Sequence, residues 1–588
     1  MSLQHQSLIV SFLFSYILLG QGFIQNDPQI HYDEPEGLFD SDFIRDIHIY
    51  FENDNYHNVL VNSFFNTPSY RIPATISMGG LLMDSVGVRY KGNSTFCLPY
   101  EMGNPKLPYN LDFNYWVSSQ KLMGYKKVKL ANAWLDPTFV KEYLGAQIYR
   151  KYLPSPEVNL MKLYVQDDYL GLYVNTESIN KQFLEKHFDE KSGVLFKCDP
   201  AGMFCGDQVE GEPNLVYLGG DSLDYYNSYD LKSDTGWVQL IELIHILNYA
   251  PANLGQILNI DRVLWAFAVN TVLANFDTYN GYYVHNYYLY QTEDGLFQMI
   301  PWDLSESFVG ALMGWSFFSP SDVYEFDPYL GSDASDINNS RPLLTYLLNE
   351  QIYRMQYTAH IRTIIEESLE YDNLADMIDQ IQILAYPFAN ADVNQLFGMN
   401  QYSANVQSSF WADWGFAGIL STVNERKSFL LSHPEIASIP PNLGTVSLDN
   451  TLVSIQVENA DQVDFLFTTS EFNSKFIPIE MNDEGINGDV LAGDGLFSCP
   501  IPEELNGDEE LKFYFRANNN QAMVLSPERA EYEFYIYSKN LGLSFTPFST
   551  KKLLNIVDVL GRKCEPNSNQ ILFYLYDDGS VDKKWLFE

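Results

Sequence analysis

The stretch 273–308 constrains the fold more than any other part of the sequence, because it predicts a β-hairpin with an acidic residue at each end. The segments VHNYYLYQ and LFQMIPW are rich in β-branched and aromatic residues, and the turn signal TEDG separates them, which is typical of two paired strands. Asp277 precedes the first strand and Asp303 follows the second. Since a hairpin brings its ends together, we expect Asp277, Asp303 and Asn286 at the mouth of one cleft.

Carboxylates and an amide that converge at a sheet edge suit a divalent cation and a phosphate. Mg2+ takes few protein oxygens and completes its coordination with those of the substrate. The alternative is that each aspartate caps a strand or a helix, which is the more common role for a single aspartate. For the pair the capping alternative is weaker, because the strands between Asp277 and Asp303 are too apolar to need an acid at each end.

The combination of N-x-D, HNYYLY and PWD resembles the CotH (spore-coat-H) family of atypical protein kinases. The resemblance extends over most of residues 42–433. It implies an α+β, highly divergent protein-kinase-like fold that transfers phosphate from ATP to Ser or Thr with Mg2+. In that mapping Asp277 resembles the catalytic-loop acid, Asp303 resembles the metal-binding acid, and Asn286 is a further metal ligand.

The resemblance also implies nucleotide-binding residues nearer the N-terminus. RYKGNS resembles the family motif R-x-R/K-G-N-S, so Lys91 and Ser94 are expected in a loop that covers phosphate, although the end of a simple hairpin explains the motif equally well. PKLPYNLDFN partly matches the family pattern K-K-x-Y-x-L-x-F, which makes Lys106 the candidate for the lysine that reaches the ATP phosphates. The alternative for Lys106 is a solvated surface charge.

Two glutamates and another lysine complete this assignment. Glu142 lies in the first turns of a helix predicted by LDPTFVKEYLGAQIYRKYL, where it would pair with Lys106. GLYVNTESI resembles the family motif G-x-Y-x-x-x-E and places Glu177 at a hinge that contacts adenine or ribose. For both glutamates the alternative is an acid favoured by the dipole at the start of a helix. Lys197, in LFKCDP, is expected to face the nucleotide.

The charge of the chain narrows the choice of partners. With 35 Lys and Arg against 76 Asp and Glu, the net charge is −41, which argues against nucleic acid and anionic membranes as partners. The excess of acid fits solubility in salty surroundings, cation binding or attraction to a basic substrate. A well-solvated acidic surface without any such role is the alternative.

The N-terminal residues 1–22 predict a signal peptide. The run LIVSFLFSYILLG is too short for a comfortable transmembrane helix and suits the apolar part of a signal sequence. No Lys or Arg precedes this run, so an uncleaved anchor is the alternative. No other stretch is long and apolar enough to span a bilayer, and we expect no stable membrane span after cleavage.

The five cysteines are few for an exported protein. Cys198 and Cys205 are close enough in sequence to bridge the loop CDPAGMFC. Two buried thiols are an equal possibility.

At 588 residues the chain is too long for one core, so we expect a multidomain protein. The polar, turn-rich residues 23–40 predict a linker, and 41–435 form the kinase-like domain. After the Pro-rich IPPNLG, the short alternating strands of 440–540 indicate an immunoglobulin-like β-sandwich. Residues 541–588 resemble the C-terminal sorting domain of the type IX secretion route, with a further β-hairpin as the alternative.

Within the predicted sandwich, NDEGINGDVLAGDGLF places Asp483, Asp489 and Asp494 among glycines. These residues suit a Ca2+ loop. Tight turns prefer the same residue types and are the more common explanation.

Two functions follow. The first is an exported, secreted or cell-surface Ser/Thr kinase that uses ATP and Mg2+. Its protein substrate is unidentified, and the kinase itself is one candidate. The second is a cell-surface adhesin that keeps the fold without the chemistry. A metal-dependent hydrolase is weaker, because His285 is expected on the opposite strand face from Asn286, so that no histidine joins the acids.

Overall fold

The fold is taken from a computed structural model. The structure describes residues 23–201, 205, 210–312, 323–332, 340–412, 414–448, 452–501, 510–538, 553–557, 562–563, 570–576 and 581–586. Of these residues, those within 24–501 and 511–536 belong to one compact unit, and Phe23, Glu510 and the described residues from 537 onward belong to a second. The predicted signal peptide therefore lies outside the described residues.

The first large element is a closed barrel, which follows a short strand β1 (Ile24–Gln25). Its strands are β2 (Arg45–Tyr50), β3 (Ile72–Met78), β4 (Leu81–Tyr90), β5 (Tyr109–Asp112), β6 (Lys127–Ala131), β7 (Val158–Val165) and β8 (Asp168–Glu177). The order is β2-β3-β4-β5-β6-β8-β7, and β7 closes the barrel by pairing parallel to β2. In β6, Val128 and Leu130 enter the barrel core, so the alternating Lys127 and Lys129 lie on its outer face.

Helices surround the barrel and build the second half of this unit. They are α1 (Tyr56–Asn66), α2 (Ser94–Glu101), α3 (Lys141–Tyr149), α4 (Lys181–Phe188), α5 (Trp237–Tyr249), α6 (Ile260–Val272), α7 (Pro342–Asn349), α8 (Gln351–Ser368), α9 (Tyr371–Ala391), α10 (Met399–Gln407) and α11 (Ile419–Ser432). Short 3-10 turns occur at Pro28–His31, Ser222–Tyr225, Pro251–Gln256 and Leu304–Glu306. Helix α6 is buried on nearly all sides, which explains why its sequence is apolar throughout.

A four-stranded antiparallel sheet lies beside the helices. It contains β9 (Val194–Cys198), β10 (Tyr229–Leu231), β11 (Tyr287–Gln291) and β12 (Phe297–Pro301), in the order β10-β9-β11-β12. Tyr287 pairs with Pro301 and Gln291 with Phe297, so the predicted hairpin is confirmed. Three two-residue strands form a further small sheet: β13 (Ala311–Leu312), β14 (Phe410–Trp411) and β15 (Gly415–Phe416).

The predicted all-β region forms two sheets. Its strands are β16 (Asn442–Leu448), β17 (Leu452–Glu458), β18 (Gln462–Thr468), β19 (Ile477–Met481), β20 (Leu496–Pro500), β21 (Glu510–Asn518), β22 (Met523–Ser526) and β23 (Tyr535–Ser538). One sheet is β16-β17-β20; the other is β1-β23-β21-β18-β19, with β22 paired to β21. The strands are as expected, and the immunoglobulin-like topology stays a prediction.

The three aspartates of the predicted Ca2+ loop lie together between β19 and β20. Each offers an oxygen within 4.8 Å of the others. The Asp483 carboxylate also accepts backbone N–H groups from Gly493 at 2.9 Å and Gly495 at 3.0 Å, as a turn-forming aspartate does. Ca2+ binding at Asp483, Asp489 and Asp494 stays a prediction.

Residues 24–40 are packed against the fold, contrary to the predicted linker. Strand β1 pairs with β23, and its neighbour Asn26 donates a backbone hydrogen bond to Phe534 at 2.8 Å. Leu38 and Phe39 are buried in the barrel core. The sequence suggested a linker because its polar and turn residues outnumber these few apolar anchors.

The bridge between Cys198 and Cys205 that the sequence allowed is wrong, and the alternative of two buried thiols holds for Cys198 alone. Cys205 forms a disulfide with Cys97, 108 residues away in sequence, and Cys198 is a free, buried thiol at the end of β9. Sequence proximity misled the prediction, because Cys198 is fixed in the sheet and its side chain belongs to the core around α6.

The second unit contains a three-stranded antiparallel sheet of β24 (Leu553–Val557), β25 (Gln570–Tyr576) and β26 (Val581–Leu586). These strands fall in the segment predicted to act in sorting, a role that stays a prediction. Among the described residues, no helix is both long and apolar enough to cross a membrane.

Candidate active site

A cavity of about 1600 Å³ opens between the outer face of the barrel and the sheet that contains β9 and β11. Its wall holds ten of the 35 cations of the chain but only nine of its 76 acids. The cations are Arg71, Arg89, Lys91, Lys126, Lys127, Lys129, Lys181, Lys191, Lys197 and Lys232. In a protein of net charge −41, this cavity is therefore unusually suited to an anionic ligand.

Asp277 lies in the loop after α6 and faces this cavity. The side-chain amide of Asn286 donates hydrogen bonds to Asp277 Oδ2 and to its backbone oxygen, each at 3.0 Å. The Asp277 Oδ1 atom is hydrogen-bonded to His285 Nε2. The carboxylate is thus held at both oxygens by residues just before β11. Asn286 lines the cavity, and its role as a metal ligand stays a prediction.

His285 joins the acids, which corrects the prediction that it points away from Asn286. Asn286 has a left-handed backbone with φ of 58°, so the alternation of faces that holds along an extended strand does not apply here. His285 Nδ1 also lies 3.3 Å from Asp199 Oδ1. Burial lowers the pKa of His285, but Asp277 and Asp199 outweigh it and raise the pKa to about 10, so the ring is an imidazolium.

Asp303 lines the same cavity and lies two residues after the end of β12. Its backbone is left-handed, with φ of 56°, and its side chain is exposed to the cavity. Ser305 Oγ donates a hydrogen bond to Asp303 Oδ1 at 2.7 Å. An exposed carboxylate just after a strand, in the cavity that Asp277 also lines, is a suitable ligand for a hard cation.

Lys129, which sequence reasoning missed, lies at the centre of the cation cluster. Its ammonium is 3.7 Å from the centre of the Trp302 ring, in the PWD motif. Burial and the nearby charges of Lys91, Lys197 and Arg89 lower its pKa well below the ordinary value. The signal that could have found it is the alternation in KVKLA, which puts Lys129 on the outer face of β6.

Lys91, Ser94 and Lys197 also line the cavity, where the family resemblance expected them. Burial lowers the pKa of Lys91, while Glu142 and Asp303 oppose that shift. In the part of the chain that the structure describes, neither Lys91 nor Lys129 has a carboxylate oxygen within 4.0 Å. Lys197 differs, because it forms an ion pair with Asp199.

Lys106 does not reach the cavity, so the prediction that it contacts the ATP phosphates is wrong for this structure. Its ammonium forms an ion pair of 2.5 Å with Asp392, just after α9, and only 1% of its side chain is exposed. The sequence could not show this pairing, because Asp392 lies 286 residues away.

Glu142 lines the cavity, but Lys106 is not its partner. Thr176 Oγ1 donates a hydrogen bond to Glu142 at 2.6 Å. Burial and the nearby Asp303 raise the pKa of Glu142 to about 7, against the lowering effects of this hydrogen bond and of Lys91. The protonation of Glu142 therefore depends on the charges of both Asp303 and Lys91.

Glu177 does not line the cavity, and the predicted contact with adenine or ribose finds no support. It is buried at the end of β8, with Lys186 Nζ 3.3 Å from its carboxylate. Its carboxylate also accepts the backbone N–H of Glu157 at 3.1 Å. Strand alternation explains the difference: the neighbours Thr176 and Ser178 line the cavity and Glu177 points the other way.

Residues 88–410 match the family model described as CotH kinase protein, which spans more than half of the chain. The chain belongs to the CotH kinase family. CotH membership suggests a kinase-like function, and the fold of the matched region is consistent with a kinase-like fold. The matched residues include Lys91, Lys129, Glu142, Asp277 and Asp303.

The inner spore coat protein H of Bacillus subtilis (strain 168) is a distant CotH relative. It is 20% identical to this chain over 340 residues, which cover 55% of this chain and 84% of that protein. At this distance the relative supports the family assignment, and the chemistry of this chain has to be argued from its own cavity.

Proposed function

We propose that this protein is an exported CotH-type kinase that transfers the γ-phosphate of ATP to Ser or Thr hydroxyls with Mg2+. One observation carries the proposal: Asp277, Asp303, Lys91 and Lys129 face the same cavity, and neither lysine has a carboxylate partner within 4.0 Å among the described residues. Phosphoryl transfer depends mainly on positioning and charge compensation, which these groups are suited to provide.

The cavity fits the nucleotide and its metal. Its volume of about 1600 Å³ exceeds the roughly 300–1,000 Å³ of ordinary small-molecule pockets, which leaves room for an acceptor beside ATP. Lys91 and Lys129 are desolvated cations, and a buried charge of this kind is stabilised when an anion binds. Asp303 and the side-chain oxygen of Asn286 would hold Mg2+, which would neutralise charge on the phosphates.

Asp277 would accept the hydrogen bond of the incoming hydroxyl. His285 and Asn286 hold its two oxygens, so the carboxylate is oriented before the acceptor arrives. The imidazolium of His285 lies between Asp277 and Asp199. Burial raises the pKa of Asp199, but Lys197 and His285 outweigh it and lower that pKa, so Asp199 is ionised. Glu142, beside Asp303 and Lys91, would help to place the lysine that faces the phosphates.

Export is supported by two observations. The Cys97–Cys205 disulfide belongs to an oxidising compartment, which is typical of exported proteins. The matched relative is, by its name, a protein of the inner spore coat. The protein substrate and the sorting role of residues 541–588 belong to this proposal.

Incubation with γ-labelled ATP and Mg2+ tests the proposal. Wild type should label itself or an added protein, whereas Asp277→Ala and Asp303→Ala should lose at least about a hundredfold in rate. Asp376→Ala is the matched control, because Asp376 is exposed on α9 and does not line the cavity. Equal labelling by all four proteins would reject the assigned roles.

Nucleotide-dependent thermal stabilisation separates the kinase from the adhesin. Ligand at about a hundredfold over its dissociation constant adds about 2.7 kcal/mol to the free energy of unfolding. A clear shift of Tm with Mg·ATP is expected. Absence of any shift would favour a cell-surface adhesin that retains the fold without nucleotide binding.

A further inference from the structure

Lys141 is the first residue of α3 and is completely buried, yet it does not line the cavity. Its ammonium lies 3.5 Å from the backbone oxygen of Phe308, 3.3 Å from that of Gly310 and 3.3 Å from that of Ala417. Among the described residues, no carboxylate oxygen lies within 4.0 Å of it. The buried ammonium of Lys141 therefore donates hydrogen bonds to three backbone carbonyl groups.

Two of these carbonyls belong to the segment that follows Asp303. The backbone of this segment is left-handed at Asp303, Phe308 and Val309, with φ of 56°, 57° and 73°. Such angles are costly for residues other than glycine, and most of all for a β-branched valine. The conformation after the metal-binding aspartate therefore needs restraint from the surrounding structure.

The same segment is also attached to the residues that precede Asp277. Phe308 N–H donates to the backbone oxygen of Leu273 at 2.7 Å, and Val309 N–H donates to that of Ala274 at 3.1 Å. A shift of residues 308–310 would thus be felt on both sides of the cavity, at Asp303 and at Asp277.

Helix α3 contacts this segment a second time, one turn further on. Gly145 lies four residues after Lys141, and a Cβ atom there would be 2.7 Å from Ser307 Oγ and 3.1 Å from the backbone oxygen of Leu304. Helical residues four apart share a face. One face of α3 therefore approaches the segment closely, while Glu142 of the same helix faces the cavity.

We propose that Lys141 is a positioning residue for phosphoryl transfer, which fixes the strained segment after Asp303 to α3 and so sets Asp303 against Asp277 and Glu142. This inference rests on the proposed kinase function. Loss of the ammonium leaves three backbone carbonyls without their shared donor and releases the left-handed residues. Asp303 then moves from the position in which it meets Mg2+.

Lys141→Met tests this role, because methionine fills a similar volume without charge or donors. We expect kcat to fall about a hundredfold, as a displacement near 1 Å can cause, and the Mg2+ concentration for half-maximal rate to rise about tenfold. The KM for ATP should change less than kcat. Lys141→Arg, which keeps the charge and the donors, should recover part of both losses.

Lys106→Met is the matched control. Lys106 is as deeply buried as Lys141 but is paired with Asp392, away from the cavity. The Lys106→Met variant should have a lower Tm than wild type, with kcat and the Mg2+ dependence at wild-type values. A merely structural role for Lys141 predicts the same pattern in both variants, and that result would overturn the inference.

Gly145→Ala keeps the inference testable if Lys141→Met does not fold. The added methyl group pushes against residues 304–307 and should raise the Mg2+ requirement in the same direction. Unchanged kcat and Mg2+ dependence in this variant would contradict the inference. An inactive wild type would instead reject the proposed kinase function, so the two failures are distinguishable.

Discussion

Two lysines near the barrel have opposite surroundings: Lys106, just before β5, is fully buried, and Lys129 on β6 is half-buried. Lys106 meets Asp392 at 2.5 Å behind the barrel. Lys129, on the cavity side, lies over the Trp302 ring among other cations. The same contrast separates two buried glutamates, since Glu177 is paired with Lys186 while Glu142 sits beside Asp303.

The difference teaches that burial alone does not mark a ligand site. Removing a charge from water is costly, and for Lys106 the ion pair with Asp392 offsets this desolvation cost. Lys129 lacks such a pair in the described chain and has a pKa lowered well below its ordinary value. A perturbed, unpaired group in a cavity is the stronger indication of function.

The largest effect is expected when the pair behind the barrel is broken. Lys106→Met leaves the Asp392 carboxylate buried without its cation, which should cost about 3–5 kcal/mol of unfolding free energy. Urea denaturation measures this loss, and Lys106→Met with Asp392→Leu should recover much of it. If Lys106→Met instead abolished ATP binding and left the unfolding free energy unchanged, Lys106 would be a ligand-binding residue and not a structural one.

Glu142 should make the apo-protein less stable as the pH rises. Its pKa is near 7 in the folded state and 4.5 as a free side chain, so the folded state holds a proton that the unfolded state has lost. The associated stability is fully present below pH 4.5 and is lost as the pH passes through about 7, by up to about 3 kcal/mol.

Denaturation of wild type and Glu142→Gln across this pH range measures the effect. The variant should show a flatter profile between about pH 4.5 and 7. Parallel profiles of the two proteins would show that Glu142 does not retain its proton on folding.

Lys129→Met should weaken ATP binding by about 1.5–3 kcal/mol, the range for hydrogen bonds to charged groups. The unfolding free energy should stay level or increase, because a desolvated cation is removed. Calorimetric titration with Mg·ATP measures the affinity. A fall in stability with unchanged affinity would place Lys129 with Lys106 as a structural residue.

The smallest effect is expected from Glu177→Gln. Lys186 keeps a second carboxylate partner in Glu157, at 2.5 Å, so the ion pairs of Lys186 are only partly disrupted. ATP affinity should stay within about twofold, which corresponds to less than about 0.5 kcal/mol. A larger loss of ATP affinity in a binding titration would support the predicted contact of Glu177 with the nucleotide.

The local parts of the fold were accessible from the sequence. The period of two and the turn signal predicted β11 and β12, and the register Tyr287–Pro301 brings Asn286 beside Trp302, whose N–H donates to the Asn286 backbone oxygen at 3.1 Å. The same period in KVKLA marks the face that carries Lys129. These features depend on neighbours in sequence, which a pattern can represent.

The parts that were missed depend on long-range pairing or on single backbone angles. The ion pair of Lys106 with Asp392 and the disulfide of Cys97 with Cys205 join residues more than a hundred positions apart. The left-handed angle of Asn286 turns His285 into the cluster, and no local pattern predicted it. Tertiary structure decides such features.

Calorimetric titration of Mg·ATP into wild type, Asp303→Ala, Lys129→Met and Lys106→Met tests the central claim most directly. We expect wild type and Lys106→Met to bind alike, Lys129→Met to bind at least about tenfold more weakly, and Asp303→Ala to lose the dependence on Mg2+. Loss of binding in Lys106→Met alone, with the other three proteins alike, would contradict the assignment of the nucleotide to this cavity.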